Sequence, residues 1–327
     1  MESRTRSNKV IFEEINVLRA VAIILVVLGH SFIGTESNTV LMNFIIKVIY
    51  SFHMPIFFFI SGFLAIKILN LKSIEEKKVF LKKKFYELMI PYLIVTLLAL
   101  PVKILMSSFV KRPIVLKEFL VDLIFFPNKN PVAALWFIYT LFLIFVIVVI
   151  SNKIKLKNMI YISLALILLS SFVKLEFMNF YGVFRNLIFF YLGLWYRKNY
   201  NYKKYINLSV FLISFVVIIV INLIPTQNEI LYIITGISGI VLSYYIANTI
   251  KNYNTGLNKI LNIINNYALP IYLFSWFTQN CVGYTFYKIL DLNYTFTIVV
   301  TFIAGFIPII IAKYILRRSK LLYSLFR

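Results

Sequence analysis

Long apolar runs, separated by short polar or basic stretches, set the reading of this chain. The runs fall at about 15–33, 47–69, 86–106, 132–150, 159–173, 184–196, 206–224, 230–249, 264–284 and 294–316. Most approach the ~20 residues that a helix needs to cross the hydrocarbon core of a bilayer. Their apolar positions run on continuously instead of alternating with period two, which favours helices over an outer-membrane barrel. The expected fold is therefore all-α: a polytopic membrane bundle of about ten transmembrane helices. No internal repeat or soluble extra domain is visible, so residues 1–327 are read as one integral membrane domain.

Composition supports that pattern, because 61% of the residues are hydrophobic and only 14% are charged. Soluble domains have roughly 45–50% apolar residues. A net charge of +22 would point to nucleic acid in a soluble protein. Here the bases collect in alternate loops: Lys67 to Lys84, Lys153 to Lys157, Arg197 to Lys204, and Lys251 to Lys259. With Arg4, Arg6, Lys9 and the tail from Lys313 to Arg327, these stretches hold most of the 34 Lys and Arg residues. All lie on one side if the N-terminus is cytoplasmic, so the positive-inside rule places both termini in the cytoplasm. The charge is assigned to topology and to the anionic headgroups of membrane lipids, and no nucleic-acid partner is expected. One cysteine, Cys281, excludes an internal disulfide, and with only His30 and His53 beside it no metal site is expected. No small-residue cleavage site follows the first apolar run, so the first helix is expected to be retained. The longer outer loop, Ser107 to Pro131, is expected to hold an interfacial or re-entrant helix over the bundle mouth.

The first run carries two residues that a lipid-facing helix does not need, Arg19 and His30. At about 100° per residue the eleven steps between them bring both side chains to one face, roughly 16 Å apart along the axis. A polar stripe of this kind suggests a lined cavity, although Arg19 also has a plain reading as a side chain that snorkels to the inner headgroups. His53 stands beside Pro55, which removes a backbone donor and frees a carbonyl within its helix. His30 and His53 fall at similar depth, and either neutral imidazole, with an ordinary pKa of about 6.5, suits a general base. Two polar residues hydrogen-bonded between helices are the alternative. Ser61 and Gly62 read equally as small residues where helices touch, and Lys82-Lys83-Lys84 reads either as a basic interface or as a cationic mouth for a phosphorylated cofactor.

Arginine, ten residues and histidine in the first helix, then Phe52-His53-Met54-Pro55 and Phe59-Ile60-Ser61-Gly62-Phe63, resemble the membrane acyltransferase family 3, near its fucose 4-O-acetylase-like branch. Weaker echoes are Lys84 to Tyr92, Leu135-Trp136-Phe137-Ile138-Tyr139, and Ala268-Leu269-Pro270-Ile271-Tyr272-Leu273-Phe274. The resemblance implies transfer of an acyl group, usually acetyl, from cytosolic acyl-CoA to a hydroxyl of a cell-surface or lipid-linked carbohydrate in a bacterial plasma membrane. It implies His30 as the essential histidine, Arg19 as its paired arginine, and His53 and Ser61 as lining the same cavity. Lys83, Lys84, Arg19 and Ser61 become candidates for holding acetyl-CoA or another short acyl-CoA. Trp136 and Tyr139 become candidates for the carbohydrate acceptor, and polysaccharide biosynthesis proteins become possible partners. Two positions depart from the family pattern: Glu87 stands where many relatives have a second base, and Ser275-Trp276 where many have a histidine. A transporter or flippase of a glycan intermediate is the competing class, but it would ordinarily show repeated halves.

Overall fold

The computed structural model describes residues 12–32, 38–105, 117–200, 206–226, 228–251, 256–314 and 318. Among these residues every regular element is helical. The expectations for the two termini, for Lys203 and Lys204 and for positions 107–116 lie outside the described residues.

Each expected apolar run contains a helix. They are α1 (Glu13–Gly29), α2 (Val40–Leu64), α3 (Ile74–Lys84) continued by α4 (Ile90–Leu105), and a short α5 (Phe119–Phe125). Then follow α6 (Trp136–Ile150), α7 (Leu156–Leu169), α8 (Phe180–Lys198), α9 (Leu208–Leu223) and α10 (Glu229–Ile250). The last are α11 (Gly256–Asn266), α12 (Ala268–Tyr284), α13 (Tyr294–Ala304) and α14 (Ile307–Tyr314). Five stretches are long and apolar enough to cross a membrane: Val40–Leu64, Ile74–Ile104, Ala133–Ile150, Glu229–Ile250 and Tyr294–Tyr314. The other expected spans fall on shorter or more polar helices. Among them α1 and α12 have 17 residues each, and α8 has 19 with Arg185 inside it.

The basic stretch after α2 folds as the sequence directs. The Ser73 hydroxyl accepts from the Glu76 N–H, and the Glu76 carboxylate accepts from the N–H groups of Lys72 and Ser73, a reciprocal cap that starts α3. The exposed α3 then passes through one π turn, Phe85–Met89, into the apolar α4. The expected outer-loop helix appears as α5, which buries Phe119 and Leu123 while Leu120, Val121 and Ile124 stay exposed. Phenols hold its end: Tyr92 donates to the Leu123 carbonyl at 2.9 Å and Tyr139 to the Ile124 carbonyl at 2.5 Å.

At the centre α2 packs against α1, α8 and α10. It continues through Pro55, and the carbonyl freed four residues earlier, that of Ser51, is met by the Thr235 hydroxyl of α10 at 3.3 Å. That hydroxyl is shared with the Leu231 carbonyl at 2.9 Å. The crossing of α2 with α8 depends on two glycines. A Cβ at Gly62 would lie 1.9 Å from the Phe190 carbonyl oxygen, and one at Gly193 would lie 2.1 Å from that of Phe59. The backbones therefore meet directly, as small residues permit in membranes. Gly62→Ala should destabilise the fold by about 1–3 kcal/mol, since the clash is with backbone and no side chain can swing away. Denaturation of the purified variant in detergent measures this, and a midpoint equal to the parent's would show that the helices separate at little cost.

Candidate active site on the first two membrane helices

Arg19 lies in the second turn of α1, half-buried. Its Nε donates to Oδ1 of Asn265 at 2.7 Å, and an Nη lies 3.5 Å from Oδ1 of Asn16. Asn265 comes from the last turns of α11, a helix packed along α1. Arg185, Lys251, Lys84 and Lys129 each meet a carboxylate. Among the described residues no carboxylate pairs with Arg19. A half-buried guanidinium whose partners are neutral amides has no local counter-charge among the described residues, with N–H groups left for an anion.

Eleven residues on, His30 follows the last helical residue, Gly29, and keeps helical backbone angles. Because α1 is uninterrupted between them, Arg19 and His30 belong to one stripe of the helix, with the buried Ile23 and Val26 in between. Their side chains engage different neighbours: Arg19 reaches α11, whereas the half-buried imidazole of His30 turns toward α2. There the Tyr50 ring stands edge-on to His30 with centroids 6.2 Å apart, and to His53 at 5.0 Å. The Tyr50 hydroxyl donates to the Gly29 carbonyl at 3.2 Å. His53 is buried, with Nδ1 at 2.9 Å from the Ile49 carbonyl oxygen. A carbonyl can only accept, so in the neutral ring Nδ1 carries the proton and Nε2 presents the lone pair. The two histidines expected at one depth thus sit on either side of one tyrosine.

The remaining candidates are dispersed. Ser61 is half-buried beside the glycine crossing. Lys84 Nζ lies 2.6 Å from Glu87 Oε2 and 4.9 Å from the centre of the Phe145 ring, while the exposed Lys83 lies 3.7 Å from Glu87 Oε1. Glu87, the departure from the family pattern, is therefore the counter-charge of both lysines. Trp136 opens α6 and packs near the Phe58 ring of α2, 6.4 Å between centroids. Tyr139 is buried and tethers α5. Ser275 is buried in α12, and the Trp276 ring lies 5.7 Å from Lys103 Nζ.

Sequence reasoning missed Tyr50, Asn265 and Gln279 near the two candidate residues. Tyr50 had a signal, since its place three residues before His53 puts both on one helix face. It also missed two ion clusters. Glu14, buried near the start of α1, accepts from Tyr200 and lies 3.0 Å from Lys251. Glu229 at the start of α10 accepts from Arg185 Nε at 2.7 Å and from Tyr181 at 2.9 Å, and the Arg185 guanidinium lies 3.8 Å from the centre of the Tyr232 ring.

Continuous apolar helices with ionisable groups placed inside the bundle define an all-helical integral membrane protein. The chain belongs to acyltransferase family 3, whose acyltransferase domain matches residues 12–318. It is accordingly a membrane acyltransferase. No curated protein and no solved structure matches the chain.

Proposed function

We propose that this acyltransferase, of the fucose 4-O-acetylase-like branch, moves an acetyl or other short acyl group from cytosolic acyl-CoA to a hydroxyl of a cell-surface or lipid-linked carbohydrate. It works in a bacterial plasma membrane beside proteins of polysaccharide biosynthesis. The observation that carries the reading is Arg19, a half-buried cation held by an amide and without a carboxylate partner among the described residues, on the same helix stripe as His30. A phosphate of coenzyme A supplies the missing negative charge, and the pantetheine arm is comparable in length to the rise of about 16 Å from Arg19 to His30. Lys83 and Lys84 add positive charge at the donor's entrance, moderated by Glu87.

In this reading His30 takes the proton of the acceptor hydroxyl while its oxygen attacks the thioester carbonyl. The carbon–sulfur bond breaks, and the imidazolium returns the proton to the departing thiolate. His53, whose Nε2 is the lone-pair nitrogen, supports the acceptor side. Holding both substrates along one helix supplies the orientation on which such a transfer depends.

Turnover of acetyl-CoA by the purified protein, followed as free thiol in the presence of a cell-envelope glycan fraction, tests the reading. Arg19→Met should raise the KM for acetyl-CoA about 10- to 100-fold, the loss of one charge-assisted contact of about 1.5–3 kcal/mol, with a smaller change in kcat. No thiol release by the parent protein, alongside transport of a labelled glycan intermediate, would replace the enzyme with a carrier.

A further inference from the structure

The end of α1 is fastened from two sides. Carbonyls in the last turn of a helix lose their backbone donors and need others. The natural partner of the Val27 carbonyl is the N–H of Ser31, which instead donates to Leu28 at 3.1 Å. Two side chains replace it: the Ser31 hydroxyl at 2.7 Å and Nε2 of Gln279, from α12, at 2.8 Å. The Gly29 carbonyl, next to His30, accepts from Tyr50 of α2. Helices on either side of α1 thus grip the backbone that carries His30.

Gln279 is an unusual residue for this place. It is 1% exposed, and its Oε1 has no hydrogen-bond partner among the described residues. Chemistry fixes the orientation of the amide, because a flipped amide would set oxygen against the Val27 carbonyl. Room for it is made by Gly305, after α13, where a Cβ would approach the Gln279 amide carbon to 3.1 Å and Val27 Cγ1 to 2.4 Å. An aliphatic side chain would fill the same space without burying an unpaired oxygen. Such a residue makes sense if the donor on Val27 serves something other than stability.

We propose that Gln279, together with Tyr50, is a positioning residue for His30: by pegging the Val27 and Gly29 carbonyls from opposite sides, the pair fixes the turn that aims the imidazole. The proposal rests on the reading of His30 as the base. It assigns Gln279 no contact with substrate.

Two readouts test it. In acetyl-CoA turnover, Gln279→Met, which keeps the length and loses the donor, should lower kcat tenfold or more with KM within twofold and the unfolding midpoint unchanged or raised. In the second, the rate at which diethylpyrocarbonate modifies His30 is mapped by mass spectrometry against His53 in the same molecule. Gln279→Met should change the His30-to-His53 ratio at least threefold. Tyr50→Phe, which keeps the ring and loses the donor, should change it in the same sense and serves if the methionine variant does not fold. An unchanged ratio in a folded variant overturns the proposal, as does a loss of kcat that only tracks a lowered unfolding midpoint. A parent protein that turns over no acetyl-CoA would sink the acyl-CoA reading instead, and the modification ratio would still decide whether Gln279 holds His30.

Discussion

His30→Ala should abolish acyl transfer, with at least a 10²- to 10⁴-fold loss of kcat, while the protein remains membrane-inserted and folded. That range is what a positioned general base contributes. The half-buried ring meets Tyr50 edge-on, a contribution of about 0.5–1.5 kcal/mol, so its removal leaves the bundle standing. The comparison variant is His53→Ala, which empties a buried position and frees the Ile49 carbonyl from a side-chain partner. If His30 is the base, the His30 variant retains the unfolding midpoint and loses turnover. The measurement is free-thiol release from acetyl-CoA beside a denaturation curve in the same detergent. Turnover within a factor of ten of the parent would remove His30 from the chemistry.

Glu229→Gln should cost the fold about 3 kcal/mol, the lower end of what breaking a buried ion pair costs. The lower end applies because the Arg185 side chain is 32% exposed against 9% for Glu229, so water can reach part of the abandoned charge. Most of the loss comes from leaving the guanidinium among apolar helices: the glutamine keeps one oxygen for Tyr181 but turns an NH2, which cannot accept, toward Arg185 Nε. Removing both charges, as in Arg185→Met with Glu229→Leu, should restore much of the stability, since apolar residues often replace such a pair at little cost. Unfolding curves of the parent and the two variants decide the matter. A double variant as unstable as the single one would show that the pair acts through a wider network.

The helices were legible because burial in lipid demands long apolar segments, and that demand is written locally. Ser73 with Glu76 and Lys84 with Glu87 are local in the same way, three residues apart and meeting whatever the rest of the chain does, although neither pair is among the expectations. The freed carbonyl before Pro55 could be anticipated, but not that Thr235 would meet it. Partners such as Asn265 for Arg19, Gln279 for Val27 and Glu229 for Arg185 are set by which helices pack together, and no local pattern encodes that choice. Length does not carry the expected count by itself: five stretches are long and apolar enough to cross a membrane, whereas α7 and α9 are apolar with 14 and 16 residues, and α1 ends at Gly29, just before the residue of most interest.

Where α2 crosses α8, the two main chains touch at Gly62 and Gly193 with no side chain between them. A joint of that kind has no rotamers to change, so it resists both sliding and opening, and the two helices travel as one strut. Movement within the bundle meets less resistance along the flanks of α1, where Asn265 and Tyr50 each hold it by one hydrogen bond that can be exchanged.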